Sequence, residues 1–241
     1  MRHRASQEVA DKNLLTTLES LEGAVNYRDW LLRLSQPYLA APVLEVGAGR
    51  GTFTPLLAKL GDVTAIEPSD RLAGLLGEAV AHQPQVHVVV GELADVPAAA
   101  DHGSAVMFNV LEHIEDDGEA LRQIHERLQP GARLILWVPA FQLLFSEFDR
   151  RVGHHRRYRL RGLKSRVRAA GYTVERGRYA NAIGWFSWLF FCRMLRIIPT
   201  DGVLPRVFDR FFVPVISRVE RVLRPPFGQS VFLVARKPLT P

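Results

Sequence analysis

Val43-Leu44-Glu45-Val46-Gly47-Ala48-Gly49-Arg50-Gly51 reads as a short apolar strand running directly into a glycine-rich turn. Residues 52–60 behind it have helical spacing, so the local unit is strand, turn, helix. Glycine in such a turn lets the backbone close on a ligand, and the first turn of the following helix offers amide donors. The next apolar run, 63–66, ends at Glu67, twenty positions after Gly47, where a carboxylate can accept both hydroxyls of a ribose. A lone Gly-x-Gly turn is a weak sign of a nucleotide site; the ordered set is a stronger one.

Outward from this stretch the same rhythm repeats. A helix over 71–81, a strand over 86–90, a strand over 105–108, a helix over 115–128 and a strand over 133–138 follow in order. Short buried strands joined by crossovers predict a doubly wound α/β fold with a mostly parallel sheet and helices on both faces. After Pro139 the rhythm changes. A loop and helix occupy 148–171, a strand 173–179, an apolar stretch 185–198, a helix 203–223 and a last strand 230–235. The final two strands predict an antiparallel hairpin that completes seven strands. The expected organisation is a single domain over 1–241, with a helical preface over 1–40 and an apolar and basic helical cap inserted over 180–228. Within the preface, Leu14, Leu15, Leu18 and Leu21 recur at helical spacing.

The chain has 241 residues, 47% of them hydrophobic, and one cysteine, Cys192, which excludes an intramolecular disulfide and a cysteine-rich metal site. Met1-Arg2-His3-Arg4 leads into polar residues with no apolar core of a secretory signal, so a cytoplasmic protein is expected. The net charge of +6 hides an asymmetry. Residues 1–132 carry 10 Lys/Arg against 19 Asp/Glu, and residues 133–241 carry 21 against 6. The basic part is suited to an anionic substrate, a lipid surface or nucleic acid; a solvated arginine-rich face is the plainer alternative.

The glycine pattern separates two nucleotide chemistries. A dinucleotide fingerprint spaces its third glycine further out than Gly47-x-Gly49-x-Gly51, and Glu45 would repel a pyrophosphate. These residues resemble class I S-adenosylmethionine-dependent methyltransferases, specifically the small-molecule branch with LEVGAGRG, over about residues 24–180. The resemblance implies a Rossmann-like fold with S-adenosylmethionine as cofactor. It implies that Gly47, Gly49 and Gly51 touch the methionine part, that Glu45 lies near its cationic amino end and that Glu67 holds the ribose. Glu92 and Leu93 would meet the adenine, although the family's usual acid there is Asp. Asn109, in Asn109-Val110-Leu111-Glu112-His113-Ile114, would line the sulfonium, and Tyr27 would reach over the cofactor.

For the methyl acceptor, Phe148-Asp149-Arg150-Arg151-Val152-Gly153-His154-His155-Arg156-Arg157-Tyr158 stands beyond the fifth strand. This FDxxxGHxRRY pattern resembles one in bacterial small-molecule and lipid-associated methyltransferases. His154 is the candidate general base, with Asp149 orienting it; Arg156, Arg157 and Tyr158 are candidates for binding an anionic acceptor. A carboxylate acceptor needs no base, which would leave the arginines as the important residues. A salt-bridged hinge of Asp149, His154 and Arg157 is the structural alternative, and the spacing is not that of a metal site. The amine-methylating Asn/Asp-Pro-Pro-aromatic loop is missing after Asn109, and Cys192 lies in an apolar run, which disfavours nucleic acid as substrate. Trp185 and its apolar neighbours to Ile198 are too few to span a bilayer. They fit a lid over a greasy acceptor, a peripheral contact with the inner membrane surface, ordinary core or a homodimer interface. The expected activity is O-methylation of a hydroxyl or carboxylate on a hydrophobic or anionic small molecule or lipid. The competing readings are a non-catalytic binding or scaffold protein and an NAD-dependent oxidoreductase.

Overall fold

All four residues of Val43–Val46 are buried, and this strand lies near the centre of a seven-stranded sheet. The computed structural model describes residues 23–99, 101–196 and 203–239. The helical preface is therefore seen from its second half; Leu14, Leu15, Leu18 and Leu21 lie outside the described residues, as do Ile197 and Ile198.

In chain order the first elements are α1 (Val25–Ser35), β1 (Val43–Val46), α2 (Thr54–Leu57), β2 (Val63–Glu67), α3 (Asp70–Ala79) and β3 (Val86–Val90). They are followed by β4 (His102–Phe108), α4 (Asp117–Arg127), β5 (Leu128–Pro139), α5 (Glu147–Arg151), α6 (Leu160–Ala169) and β6 (Thr173–Ala180). The last are α7 (Ala182–Ser187), α8 (Val203–Val207), α9 (Val213–Val222) and β7 (Ser230–Arg236). The strand order is β3-β2-β1-β4-β5-β7-β6. β1 pairs in parallel with β2 and β4, as do β2 with β3 and β4 with β5.

The end of the sheet is antiparallel, as the sequence predicts. Lys237 exchanges backbone bonds with Gly131 and Ala132, whereas Gln229 bonds Ala140, so β7 runs against β5. Gln229 also donates to the Asn181 carbonyl, joining the start of β7 to the end of β6.

The chain divides into two compact units: a sheet unit of Ser35–Val138, Arg161–Gly177 and Phe232–Pro241, and a helical unit of Met1–Leu34, Pro139–Leu160 and Arg178–Val231. The core of the sheet unit is built from Val43, Leu44, Ala65, Ile66, Val106, Leu134 and Leu136, all buried in neighbouring strands. α3 closes on it through Leu72, Ala73 and Leu76, set at helical spacing, and Ser69 caps the helix by accepting from the Leu72 amide at 3.5 Å.

The helical unit is held by buried acids that bond backbone amides. Asp209 accepts from the amides of Asn26 and Tyr27 at 3.1 and 2.9 Å, so it caps α1 from 182 residues away. Glu220 accepts from the amides of Asn181 and Ala182 at 3.1 and 2.9 Å and holds the turn between β6 and α7. Burial pushes its carboxyl above the ordinary value, against the pull of those amides and of Arg178.

Two helices differ from the sequence reading. The predicted helix within 148–171 is two helices, α5 and α6, because Gly153 turns the chain at φ +83 and Tyr158 joins Ala140 in a β-bridge. The predicted helix 203–223 contains a π-helical turn, Phe208–Phe212, between α8 and α9. A second π-helical turn, Trp188–Met194, extends α7 through the apolar stretch. Among the described residues, no helix is long and apolar enough to cross a membrane.

Candidate active site

Four parallel strands end at one edge of the sheet unit in the spatial order β3, β2, β1, β4. Their outgoing loops carry Glu92 after β3, Glu67 at the end of β2, Gly47 to Gly51 after β1, and Asn109 after β4. β1 leads to β2 on one side and has β4 on the other, so this edge contains the topological switch point at which open α/β sheets bind ligands.

The glycine loop is tied to its neighbour strand. Gly47 and Ala48 each donate to the Ile66 carbonyl at 2.9 Å, and Gly49 donates to Glu67 Oε2 at 2.9 Å. Glu67 Oε1 accepts from the Ser69 amide at 3.0 Å. Glu67 thus pins the loop and the start of α3.

Gly47 is demanded twice over. Its φ of +71 is left-handed, and a Cβ there would lie 2.6 Å from a Val110 methyl. Gly49 and Gly51 are left-handed too, at φ +60 and +87, a backbone that residues with a Cβ rarely adopt, and the Gly51 amide closes the turn on the Ala48 carbonyl at 3.0 Å. Asn109, at φ +56, is one of the few non-glycine residues in that region, and its amide bonds the Trp137 carbonyl at 2.7 Å.

Glu45 is buried inside β1, and its Oε2 has no hydrogen-bond partner. Burial pushes its carboxyl up to about 8; the nearby Thr54 hydroxyl pulls it down and the Glu67 charge pushes it up further. An unpaired buried acceptor next to a second carboxylate is suited to a cationic donor. The cradle and Glu45 together fit the amino acid end of S-adenosylmethionine. Leu93 is buried; Glu92 is exposed, and its amide is held by Asp95 Oδ2 at 2.8 Å.

The helical unit holds the other group of predicted residues. Asp149 is fully buried and accepts from five donors. Oδ2 takes the Ser146 amide, the Ser146 hydroxyl and Arg157 Nη2 at 2.8, 3.0 and 3.0 Å. Oδ1 takes His154 Nδ1 at 2.8 Å and Arg157 Nε at 2.7 Å. Burial alone would raise this carboxyl, but the bonds from His154 and Arg157 and the guanidinium charge outweigh it and hold the group down at about 2. Arg157 is thereby committed to Asp149 in a bidentate pair, and its other side lies over the Trp188 ring at 4.8 Å.

His154 is turned so that Nδ1 meets the carboxylate, which fixes this nitrogen as the protonated one in the neutral ring and Nε2 as the proton acceptor. Arg156 is partly exposed, and Tyr158 is buried with its amide on the Pro139 carbonyl. Trp185 stacks edge-on with Phe141 at 6.4 Å, and Phe141 lies flat on Tyr179 at 4.8 Å. The Tyr27 hydroxyl pairs with Ser230 Oγ at 3.2 Å.

Sequence reasoning missed Ser146, Trp188 and Asp209. For Ser146 a signal existed: Ser146-Glu-Phe-Asp149 has the Ser-x-x-acid spacing of a capping box, formed here at the start of α5. Nothing local announces Trp188 beneath Arg157, or Asp209 on α1. Cys192 is buried and its thiol is pushed up to about 12 by that burial, which is unsuited to a nucleophile.

Residues 21–176 match the family described as a methyltransferase domain. An uncharacterized methyltransferase of Mycobacterium tuberculosis is 32% identical over 111 residues, covering 45% of this chain and 43% of that protein. The chain therefore spans less than half the length of this curated relative. A second M. tuberculosis protein, uncharacterized, is 35% identical over 207 residues, covering 81% of this chain and 68% of its own length. Among solved structures, the Burkholderia thailandensis 1,6-didemethyltoxoflavin-N1-methyltransferase, bound to 1,6-didemethyltoxoflavin and S-adenosylhomocysteine, superposes with a TM-score of 0.58 at 18% identity. That match covers 88% of this chain and 78% of the enzyme and shows the shared fold. With its doubly wound sheet, its glycine cradle and a family match over most of its length, the chain belongs to the methyltransferase domain family, the class I S-adenosylmethionine-dependent methyltransferases.

Proposed function

We propose that the chain transfers a methyl group from S-adenosylmethionine to an oxygen, a hydroxyl or carboxylate, of a hydrophobic or anionic small molecule or lipid. The observation that carries the methyl-donor half is the row of loops at the ends of β1, β2, β3 and β4, with Gly47, Gly49 and Gly51 all left-handed and Gly49 anchored to Glu67. Gly47 to Gly51 and Glu45 would hold the amino acid end, Glu67 the ribose, and Glu92 with Leu93 the adenine. Asn109 would line the loop beside the reacting centre. When bound, the cofactor supplies an electrophilic methyl on a sulfonium.

The acceptor half rests on His154. Asp149 holds Nδ1, so Nε2 is the atom that takes a hydroxyl proton as the oxygen attacks; Asp149 itself is a positioning residue. Arg156 and Trp185 would meet an anionic or apolar acceptor, with Tyr158 and Arg157 shaping the loop that carries them. Tyr27 would close on the cofactor. The apolar residues from 185 to 198 would serve as a lid or as a peripheral contact with a membrane surface.

The test is calorimetric titration with S-adenosylmethionine and S-adenosylhomocysteine, with NAD as control, followed by turnover on hydroxyl and carboxylate acceptors. Saturable binding of the first two alone supports the proposal. Binding of NAD, or of none, overturns it, and cofactor binding without turnover on any acceptor assigns a non-catalytic binding protein. His154→Ala then divides the acceptor classes: lost turnover with unchanged cofactor affinity marks a hydroxyl, unchanged turnover a carboxylate.

A further inference from the structure

α9 is apolar on two opposite faces. Val213 and Ile216 are buried, with Ser217 and Glu220 beside them, whereas Val215, Val219 and Val222 point outward and Val222 is 81% exposed. A helix whose outer face meets water is ordinarily polar there. The stripe continues upstream through Phe211 and Phe212, 62% and 46% exposed, and downstream through Leu223. A second outward stripe follows helical spacing from Ile183 through Phe186 and Phe190 to Met194.

The charges beside these stripes have one sign. Between 182 and 224, Arg193, Arg196, Arg206, Arg210, Arg218, Arg221 and Arg224 are all exposed. The acids among the described residues of that range, Asp209 and Glu220, are both buried and bonded to backbone amides. The arginine flank of α9 also opens on a cleft of about 330 Å³ lined by Trp30, Arg33, Leu34, Arg178, Ser217 and Arg221. Arg178 Nε there is buried without a hydrogen-bond partner.

We infer that the outer face of 183–194 and 208–223 docks on an anionic lipid bilayer, with the apolar stripes at the level of the acyl boundary, the arginines at the headgroups and a lipid phosphate in the cleft. The inference rests in part on the peripheral reading of 185–198 and extends it to the second stripe. An amphipathic surface with aromatic and aliphatic residues between arginines binds interfaces by adding apolar burial to electrostatic attraction. A second copy packed through the same face fits poorly, because its own arginines would oppose these ones while the described acids of 182–224, Asp209 and Glu220, are buried.

The test is co-sedimentation of the full chain with phosphatidylcholine vesicles and with equimolar phosphatidylcholine and phosphatidylglycerol vesicles. Binding to the anionic vesicles should exceed binding to the neutral ones by roughly ten-fold or more and fall as salt rises. The triple variant Val215→Ser, Val219→Ser, Val222→Ser and the double variant Arg218→Glu, Arg221→Glu should each lower it by a similar factor. The control Arg161→Glu, Arg168→Glu, on α6 of the sheet unit, should not. Cofactor affinity by calorimetry should stay unchanged in all of them, so that failure here is distinct from failure of the methyl-transfer reading. Three results overturn the inference: no preference for anionic vesicles, equal loss in the control, or self-association that the valine variants abolish in the absence of lipid.

Discussion

Replacing Asp149 by Asn keeps the shape of the side chain and removes its charge, and the structure sets the size of the effect. The carboxyl falls from an ordinary 3.8 to about 2, which by linkage is worth about 2 kcal/mol of stability at neutral pH. Removing the charge also strands Arg157, whose side chain is 2% exposed and whose Nε and Nη2 both point at the carboxylate. Breaking one side of a buried pair costs ~3–5 kcal/mol, so the stranded guanidinium sets the upper end of the range. The sign of the pH dependence follows from the lowered carboxyl: its contribution is present above the unfolded value and is lost as pH falls toward the folded one. The gap between wild type and Asp149→Asn should therefore be about 3 kcal/mol or more at pH 7 and narrow by about 1 kcal/mol at pH 3. Urea unfolding followed by tryptophan fluorescence measures it, since Trp188 lies against Arg157. A variant within about 0.5 kcal/mol of wild type at pH 7, or a gap that does not shrink on acidification, refutes the account of Asp149 as the ionised centre of this loop.

The cofactor half is open to similar perturbations. Glu45→Gln should remove a pH slope: with the carboxyl raised to about 8, wild-type stability declines between pH 5 and 8 by up to ~1.4 kcal/mol per unit, and equal slopes in the two proteins would exclude a buried protonated Glu45. The ammonium of the cofactor should also draw the proton off Glu45 at pH 7, so binding enthalpy should depend on the buffer's ionisation heat in wild type but not in Glu45→Gln. Gly47→Ala places a methyl against Val110 in a left-handed residue and should weaken S-adenosylmethionine by roughly ten-fold or more, as read by calorimetry; unchanged affinity moves the ligand elsewhere. Asp209→Ala should destabilise the start of α1 by about 1–2 kcal/mol, visible as faster hydrogen exchange at the Asn26 and Tyr27 amides, and unchanged protection there would show that α1 is capped by other means.

What the sequence reveals of this fold is what short-range periodicity can encode. Val43–Val46 is apolar except for Glu45 because it is covered on both faces, and the seven-stranded doubly wound sheet follows from the alternation of such runs with helices at 3.6-residue spacing. The glycine loop was equally legible as a turn after the first strand, and the structure puts all three of its glycines in the left-handed region. The break at Gly153 was harder, because the FDxxxGHxRRY segment keeps helix-forming residues on both sides and its geometry is set by Asp149 reaching forward to His154 and Arg157. Asp209 and Glu220 were illegible for a different reason. Each serves a backbone amide more than 35 positions away, and nothing in the neighbouring residues distinguishes a buried acid with that task from a solvated one.

Those distant bonds also sharpen the charge asymmetry visible in the sequence. Residues 133–241 contain six acids against 21 basic residues, and Asp149, Asp209 and Glu220 are all buried, bonded to Ser146, to Asn26 and Tyr27, and to Asn181 and Ala182. Glu147 and Glu175 are paired with arginines, the first with Arg150 and Arg151 and the second with Arg133. Asp149, Asp209 and Glu220 hold turns and helix ends in place, and the arginines between 193 and 224 among the described residues face outward. A basic composition alone is compatible with a solvated face. Buried Asp209 and Glu220, bonded to backbone amides beside two outward apolar stripes, are the observations on which the proposed docking to an anionic interface rests. Acid should loosen this unit through Asp149, whose carboxyl His154 and Arg157 hold down at about 2 and whose contribution is lost as pH falls toward that value, whereas Glu220, raised by burial, contributes no such loss.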